Sequence, residues 1–173
     1  MDDGENTIIR RIKKWELESL VQVYQSAYKR MMKYAYKKGE RIKNYLEWLY
    51  QGDPEGLLVA DRKGEIVGFA SIHSEWEDWR WGRTGELHEL AVREEFQGKG
   101  IGKKLFNKAV AYAVKKGCKT LSLWVGEENW IARSWYQRLG FEEKGSWGEW
   151  VRMRKNLSSP EIEKINKNTG KDL

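Results

Sequence analysis

Cysteine is almost absent from this chain, because Cys118 is the only one among 173 residues. An internal disulfide is therefore excluded, and a single thiol is typical of a reducing compartment. Long hydrophobic runs are missing as well: no window of 18 residues is apolar and uncharged, so we expect no membrane-spanning helix. The acidic first residues lack the apolar segment of a secretion signal, which favours a cytoplasmic protein.

Basic residues exceed acidic ones, with 32 Lys and Arg against 26 Asp and Glu. Both signs are interleaved along the chain, without an arginine-rich face or a recognition motif, and this argues against nucleic-acid binding. The length and the 40% hydrophobic content predict one globular domain. High Lys and Glu with only five Gln is typical of proteins from hyperthermophiles.

The strongest functional signal lies between residues 86 and 103. A short β-compatible segment leads into a glycine-rich turn, and an amphipathic helical pattern follows. Backbone N–H groups at the start of a helix form a site for phosphate, and glycines allow the backbone to approach it. Two lysines add positive charge. The residues expected around the phosphates are Gln97, Gly98, Lys99, Gly100, Ile101, Gly102 and Lys103.

Two motifs decide between the families that use glycine-rich turns. The turn fits neither the Walker loop nor the dinucleotide fingerprint. It fits Q/R-x-x-G-x-G/A, carried by Gln97, Gly100 and Gly102. A second pattern, N-x-x-A-x-x-x-Y-x-x-x-G-F, begins at Asn129 and contains Tyr136. On these residues the chain resembles the GNAT superfamily of N-acetyltransferases.

The resemblance covers residues 7 to 156 and implies the GNAT fold. This is an α/β (α+β) fold, with a mostly antiparallel mixed sheet of six to seven strands flanked by four helices. We therefore expect an acetyltransferase domain over residues 1–157. Residues 158–173 are polar and predict a flexible tail with one helical turn.

The resemblance also implies acetyl-CoA as co-substrate, with its pyrophosphate on the glycine-rich turn. Its pantetheine arm would pair with the backbone of Leu90, Ala91 and Val92 and contact Asn129. The acceptor would be a primary amine of a small molecule or peptide, acetylated by direct transfer in a ternary complex. We expect no metal, nucleic acid or membrane partner. A homodimer stays open, and so does a catalytically silent module that only binds acetyl-CoA.

Acetyl transfer to an amine requires a base, since an alkyl amine with a pKa near 10.4 is protonated at neutral pH. The carboxylates best placed for this are Glu86 and Glu89, on the strand before the turn. Side chains alternate along a strand, so Glu86 shares a face with His88 and Glu89 takes the other. Some members of the family carry their base at the position of Glu86, which makes Glu86 the first candidate and Glu89 the alternate. His88 is expected to be structural.

The predicted acid is Tyr136, which would protonate the departing CoA thiolate. It follows Asn129 by seven residues, close to two helical turns, so both project from the same side of one helix. A phenol with its usual pKa near 10 is a suitable donor to a thiolate. The alternative is a tyrosine that only packs in the core.

Aromatic residues form two further groups. The first follows two predicted helices, one over residues 15–37 with a break allowed near Arg30 and a stop expected at Gly39, and one over residues 42–50. The second is an extended segment over residues 75–85 that carries three tryptophans. Each group either packs on the sheet or lines the acceptor site. The two groups are Tyr24, Tyr28, Tyr34, Tyr36, Tyr45, Trp48 and Tyr50, and Trp76, Trp79 and Trp81.

Overall fold

The computed structural model describes residues 6–169, and within them the chain forms seven strands and five α-helices. The first five residues of the predicted domain and the last four of the predicted tail lie outside that range. The strands are β1 (Thr7–Arg11), β2 (Leu57–Arg62), β3 (Glu65–Asp78), β4 (Gly82–Val92), β5 (Thr120–Gly126), β6 (Glu142–Trp147) and β7 (Trp150–Asn156). The helices are α1 (Ser19–Ala27), α2 (Gly39–Gly52), α3 (Ile101–Lys115), α4 (Trp130–Arg138) and α5 (Ser159–Thr169).

The strands form one sheet in the order β1-β2-β3-β4-β5-β7-β6. Strand β4 runs parallel to β5, with Glu86 opposite Ser122, whereas the β1–β2, β2–β3, β5–β7 and β6–β7 pairs are antiparallel. This confirms the predicted mixed, mostly antiparallel sheet and its upper count of seven strands. One α-helix more than the four predicted is present in the described part of the chain.

The chain divides into two compact units, each with its own buried core. The first comprises residues 1–72 and 89–109, and its core is built from α1, α2 and the strands beside them. The second comprises residues 73–88 and 110–173. Its buried apolar side chains include Leu121, Leu123 and Met153, which alternate with polar residues along β5 and β7. The single-domain boundary at residue 157 stays a prediction.

Helix α1 covers only part of the periodicity over residues 15–37, in keeping with the break that the sequence allows near Arg30. It ends at Ala27, and the backbone N–H of Tyr36 donates a hydrogen bond to the Tyr24 hydroxyl at 3.2 Å. The chain therefore folds back towards α1 instead of extending it. The predicted stop at Gly39 is wrong, because this residue is the first of α2.

The tryptophan-rich segment is not one extended loop. Strand β3 continues to Asp78, and β4 begins at Gly82 after a tight turn. Oδ1 of Asp78 accepts hydrogen bonds from the backbone N–H groups of Arg80 and Trp81, at 2.9 and 3.1 Å. An aspartate in this position closes the turn through its own side chain.

The polar tail contains an eleven-residue helix rather than one turn. The backbone N–H and the hydroxyl of Ser158 both donate to the Glu161 carboxylate at 2.9 Å, and Oγ of Ser158 accepts from the Glu161 N–H. This is a capping box, which satisfies the first N–H groups of a helix. Lys155 adds an ion pair to Glu161 at 2.7 Å.

Cys118 is buried at 4% exposure between α3 and β5. Its Sγ–H group donates a hydrogen bond to the carbonyl oxygen of Ser74 at 3.0 Å. The thiol therefore has a structural role in the core.

Candidate active site

The glycine-rich turn joins β4 to α3 within the first unit. The Gln97 side chain donates a hydrogen bond from Nε2 to the Val92 carbonyl at 2.9 Å, which ties the start of the turn to the end of the strand. Gly98 and Gly100 have φ values of +74° and +80°. A Cβ at either position would meet no atom within 4 Å. The two glycines are thus required by backbone conformation, and they leave open space above the turn.

The electrostatics of the turn favour an anion. Helix α3 begins at Ile101, and the first N–H groups of a helix have no intrahelical partner and carry its positive dipole end. No acidic residue lies in the first turn of α3. Lys99 and Lys103 are exposed beside it. These features match a phosphate cradle whose negative charge would come from the ligand.

Leu90, Ala91 and Val92 form the end of β4 immediately before the turn. Ala91 is buried, whereas Leu90 and Val92 are partly exposed. The backbone of Gly68 approaches this segment closely, because a Cβ there would lie 3.0 Å from the Ala91 carbonyl oxygen. The segment is therefore held against β3 within the first unit.

Glu89 is a buried carboxylate within the first unit, at 6% exposure. Two tyrosine hydroxyls donate hydrogen bonds to it: Tyr28 to Oε1 at 2.8 Å and Tyr45 to Oε2 at 3.2 Å. Burial raises the pKa of Glu89 to about 7, although both hydroxyl bonds lower it. A carboxyl with this pKa is divided between its acid and base forms at neutral pH, which suits a proton acceptor.

Aromatic rings connect Glu89 with the surface of the same unit. Tyr45 lies 5.2 Å from Tyr36 and stacks with Trp48 at 6.0 Å, measured between ring centroids. Tyr36 and Trp48 are 45% and 47% exposed. Burial, and then the charge of Glu89, raise the pKa of Tyr28 and of Tyr45, so both hydroxyls remain protonated donors.

Glu86 lies in the second unit and has a different environment. Its Oε1 accepts a hydrogen bond from Nη1 of Arg152 at 2.6 Å, and its Oε2 accepts one from the Ser122 hydroxyl at 2.6 Å. Nη2 of Arg152 also contacts Asp78 at 2.5 Å. Glu86 and Arg152 are each 2% exposed. The carboxylate is therefore part of a buried ion-pair network with both oxygens occupied.

His88 is packed among rings rather than placed for proton transfer. Its imidazole lies 4.7 Å from the Trp76 ring at an angle of 85° and 6.2 Å from the ring of His73. Burial, followed by the charges of His73 and Arg152, lowers the pKa of His88 to about 3. The imidazole is therefore neutral at physiological pH, in agreement with the structural role that the sequence predicts.

Asn129 precedes the first residue of α4, and Tyr136 lies within that helix; both are in the second unit. Oδ1 of Asn129 accepts a hydrogen bond from the Ala132 N–H at 3.2 Å, so this side chain caps the helix. Tyr136 is 8% exposed, and its ring contacts Phe141 at 5.6 Å in an edge-on arrangement. The ring thus packs in the core, which leaves the role of its hydroxyl open.

The predicted site residues divide between the two units. Glu89, the segment 90–92 and the turn 97–103 belong to the first, whereas Glu86, Asn129 and Tyr136 belong to the second. Sequence reasoning missed the partners of both carboxylates. Tyr28 and Tyr45 belong to the first group of aromatic residues, and the sequence does not single them out as partners of Glu89. Nothing in the local sequence links Arg152 to Glu86.

A comparison with protein families gives the decisive observation. The profile described as the acetyltransferase (GNAT) family matches residues 15–141, which include the glycine-rich turn and α4. The chain belongs to the acetyltransferase (GNAT) family.

Relatives of this GNAT chain occur in archaea. An uncharacterized N-acetyltransferase of Methanocaldococcus jannaschii is 39% identical over 150 residues, which cover 86% of this chain and 66% of the relative. An uncharacterized N-acetyltransferase of Archaeoglobus fulgidus is 41% identical over 143 residues, covering 81% of this chain and 97% of the relative. The chain thus spans about two thirds of one relative and nearly all of the other.

Solved structures agree with the GNAT fold. The protein PH1933 from Pyrococcus horikoshii OT3 superimposes with a TM-score of 0.80 at 34% identity, over 88% of this chain and 99% of that one. The PaiA N-acetyltransferase from Thermoplasma acidophilum, solved in complex with coenzyme A, gives 0.69 at 23% identity, over 87% and 99%. At this identity, the similarity to the Thermoplasma acidophilum protein shows a shared fold only.

One position departs from a pattern found in some GNAT enzymes that acetylate protein N-termini, which carry a catalytic Glu on the strand before α4. Trp124 occupies this position on β5 and has no group that accepts a proton. It is 42% exposed, and the Arg152 guanidinium lies 5.0 Å from its ring centroid.

Two classes of site are not found among residues 6–169. No group of three or more His, Cys, Asp or Glu side chains could hold a metal ion there. Within the same range, no helix has the length and apolar character needed to cross a membrane.

Proposed function

We propose that this protein moves an acetyl group from acetyl-CoA to a primary amine by direct transfer in a ternary complex. The observation that carries the proposal is Glu89, a buried carboxyl whose pKa is raised to about 7 and which is held by two tyrosine hydroxyls. Membership of the GNAT family supplies the reaction class.

The glycine-rich turn fits the pyrophosphate of acetyl-CoA. Gly98 and Gly100 are open on the side where a Cβ would stand, and α3 directs its first N–H groups to the same turn. Lys99 and Lys103 would balance the phosphate charge, and the backbone of residues 90–92 would pair with the pantetheine arm. When bound, acetyl-CoA supplies a thioester-activated acetyl group. The coenzyme A complex of the Thermoplasma acidophilum protein supports this choice of co-substrate.

Glu89 is the base in this proposal, in place of the first candidate Glu86. An ammonium group with a pKa near 10.4 must lose its proton before it can attack, and a carboxylate with a pKa near 7 can accept that proton directly or through water. Tyr28 and Tyr45 orient the carboxylate through their hydroxyls. Glu86 is less suited, since it forms a buried ion pair with Arg152, whereas the two side chains that donate to Glu89 are neutral tyrosine hydroxyls.

Tyr136 is the proposed acid, which would donate its hydroxyl proton to the sulfur atom of CoA. Asn129 would contact the pantetheine arm at the start of the same helix. The acceptor is a primary amine, and the exposed rings of Tyr36 and Trp48 near Glu89 suit an alkylammonium group, since aromatic faces attract cations. A cytoplasmic location remains a prediction from the single thiol.

The test combines radiolabelled acetyl-CoA with a panel of amines: polyamines, amino acids, peptides with free N-termini and peptides with an internal lysine. Label transferred to at least one amine, and lost in Glu89→Gln, supports the proposal. Tight binding of acetyl-CoA with no transfer to any amine across pH 6 to 9 would instead identify a module that only binds the co-substrate.

A further inference from the structure

Arg154 on β7 is a buried residue whose guanidinium has no counter-ion among residues 6–169. The residue is 9% exposed, and its Nη1 atom is buried with no hydrogen-bond partner among residues 6–169. No ion pair of Arg154 occurs in that part of the chain. Its guanidinium lies instead against the indole ring of Trp81, 4.7 Å from the ring centroid.

Arg152 provides an internal comparison, because it lies two residues earlier on the same face of β7. It forms ion pairs with Glu86 at 2.6 Å and Asp78 at 2.5 Å. Burial and the charge of Arg152 lower the pKa of Arg154, while the charges of Asp78 and Glu86 raise it. The charges of both carboxylates therefore act on Arg154, although neither carboxylate forms a hydrogen bond with it among the described residues.

An unpaired charged donor in the interior is costly, and an acceptor that reaches Nη1 would remove that cost. The planar edge of a guanidinium matches a carboxylate through two parallel hydrogen bonds. The charge of the surroundings limits the partner further. The charges of Arg152, Arg154, Asp78 and Glu86 sum to zero, so the site favours a monoanion over a phosphate dianion.

We propose that Arg154 binds the carboxylate of a small organic acid and that Trp81 covers this site in the free protein. Trp81 is the last residue of the β3–β4 turn, next to Gly82 with φ +73°, and it is 37% exposed. Since Nη1 is buried in the free protein, a neighbouring group must move aside for the carboxylate to reach it, and the proposal assigns this movement to the indole. The ring then contacts the apolar part of the acid. The site lies within the second unit and does not depend on the proposed acetyl transfer.

The test compares phenylacetate with phenylacetamide, which has the same shape without the charge, by thermal unfolding at constant ionic strength. We expect phenylacetate at about ten times its Kd to raise Tm by about 4 °C, and phenylacetamide to leave it unchanged. The shift should be lost in Arg154→Met. It should persist in Arg83→Met, a matched control in which a partly exposed arginine of the same unit is removed.

Arg154→Met also tests the cost of the unpaired charge. The variant without ligand should melt at the same temperature as the wild type or higher, because a buried, unpaired cation is replaced by an apolar side chain. If Arg154→Met does not fold, Arg154→Lys takes its place. Its apparent affinity for phenylacetate, taken from the Tm shift, should be at least tenfold lower than that of the wild type. Equal shifts from phenylacetate and inorganic phosphate, or a shift that survives both substitutions, would overturn the proposal.

Discussion

Nη1 of Arg152 lies 2.6 Å from Oε1 of Glu86, and both side chains are 2% exposed. The carboxylate ranked first from the sequence is thus already paired with a buried cation. Glu89, three residues later on the same strand, has hydroxyl donors and no ion pair in the described part of the chain. The two glutamates are therefore expected to respond differently to the same substitution.

Glu89→Gln should lower kcat by about 100- to 10,000-fold, because the glutamine cannot accept the proton of the amine. The affinity for acetyl-CoA should be retained. In the wild type, kcat/KM should rise with pH through a pKa of about 7, and this limb should be absent from the variant. Steady-state rates between pH 5.5 and 9 provide the measurement. The comparison variant is Glu86→Gln: if it alone abolishes the pH-dependent limb, the base is Glu86.

The raised pKa of Glu89 also predicts how stability changes with pH. The folded state holds the proton more tightly than the unfolded state, whose carboxyl has a pKa near 4.5. The stability that this proton contributes is complete below pH 4.5 and is lost as pH rises through about 7. Across that window the folded state binds more protons than the unfolded state, so raising the pH favours unfolding. Between pH 4 and 8, the wild type should lose about 3 kcal/mol of unfolding free energy relative to Glu89→Gln. Urea unfolding at both pH values measures this, and equal pH dependence of the two proteins would contradict the burial of the charge.

Gly100→Glu should abolish binding of CoA, because a side chain and a negative charge would enter the space above the turn. Gly100 has φ +80°, so the substitution also strains the backbone. Gly64→Glu is the matched control: Gly64 has φ +89° and open space at its Cβ, in the β2–β3 turn. Calorimetric titration with CoA should give no heat for the first variant and unchanged affinity for the second. Unchanged affinity in both would remove the turn from the cofactor site.

Tyr136→Phe should lower kcat by about 10- to 1000-fold if its hydroxyl protonates the CoA thiolate. The ring and its contact with Phe141 are retained, so Tm should change little. Replacing acetyl-CoA by a thioester with a less basic leaving group should restore part of the rate, since such a thiolate needs less help from an acid. A variant that melts earlier but turns over normally would limit the tyrosine to packing.

Arg152→Met should destabilise the protein by about 3 to 5 kcal/mol, because it leaves Glu86 and Asp78 buried without their cation. Part of this loss should be recovered by the double variant Arg152→Met, Glu86→Gln, in which one of the two unpaired charges is removed. Denaturant unfolding of the wild type, the two single variants Arg152→Met and Glu86→Gln, and the double variant measures the coupling. A loss of unfolding free energy below about 1 kcal/mol in Arg152→Met would show that water reaches the network.

The fold could be read from the sequence wherever a local pattern decides it. The short strand, the glycine-rich turn and the amphipathic helix that begin at residue 86 are of this kind, and the structure has β4 and α3 on either side of that turn. The errors arise where a distant contact overrides the pattern. Helix α1 ends at Ala27, and the backbone of Tyr36 returns to the hydroxyl of Tyr24, twelve residues earlier in the chain. The tail helix could have been found, since S-S-P-E at its start is a capping box.

The chemistry of the two glutamates could not be read in the same way. A strand pattern places them on opposite faces, but it carries no information on the side chains that each face meets. Tyr28 and Tyr45 come from two helices far earlier in the chain, and Arg152 comes from β7. The glycine-rich turn was predictable because its residues are consecutive, whereas the surroundings of Glu86 and Glu89 depend on long-range packing.

The buried thiol of Cys118 has a practical consequence. Since the only cysteine of the chain is 4% exposed and bonded to the Ser74 carbonyl, it should react slowly with maleimides in the native state. A cysteine introduced at an exposed position can therefore be labelled selectively in the otherwise unaltered protein. Trp79, which is 91% exposed at the tip of the β3–β4 turn, is such a position. A fluorophore attached there would report movement of this hairpin directly, one molecule at a time.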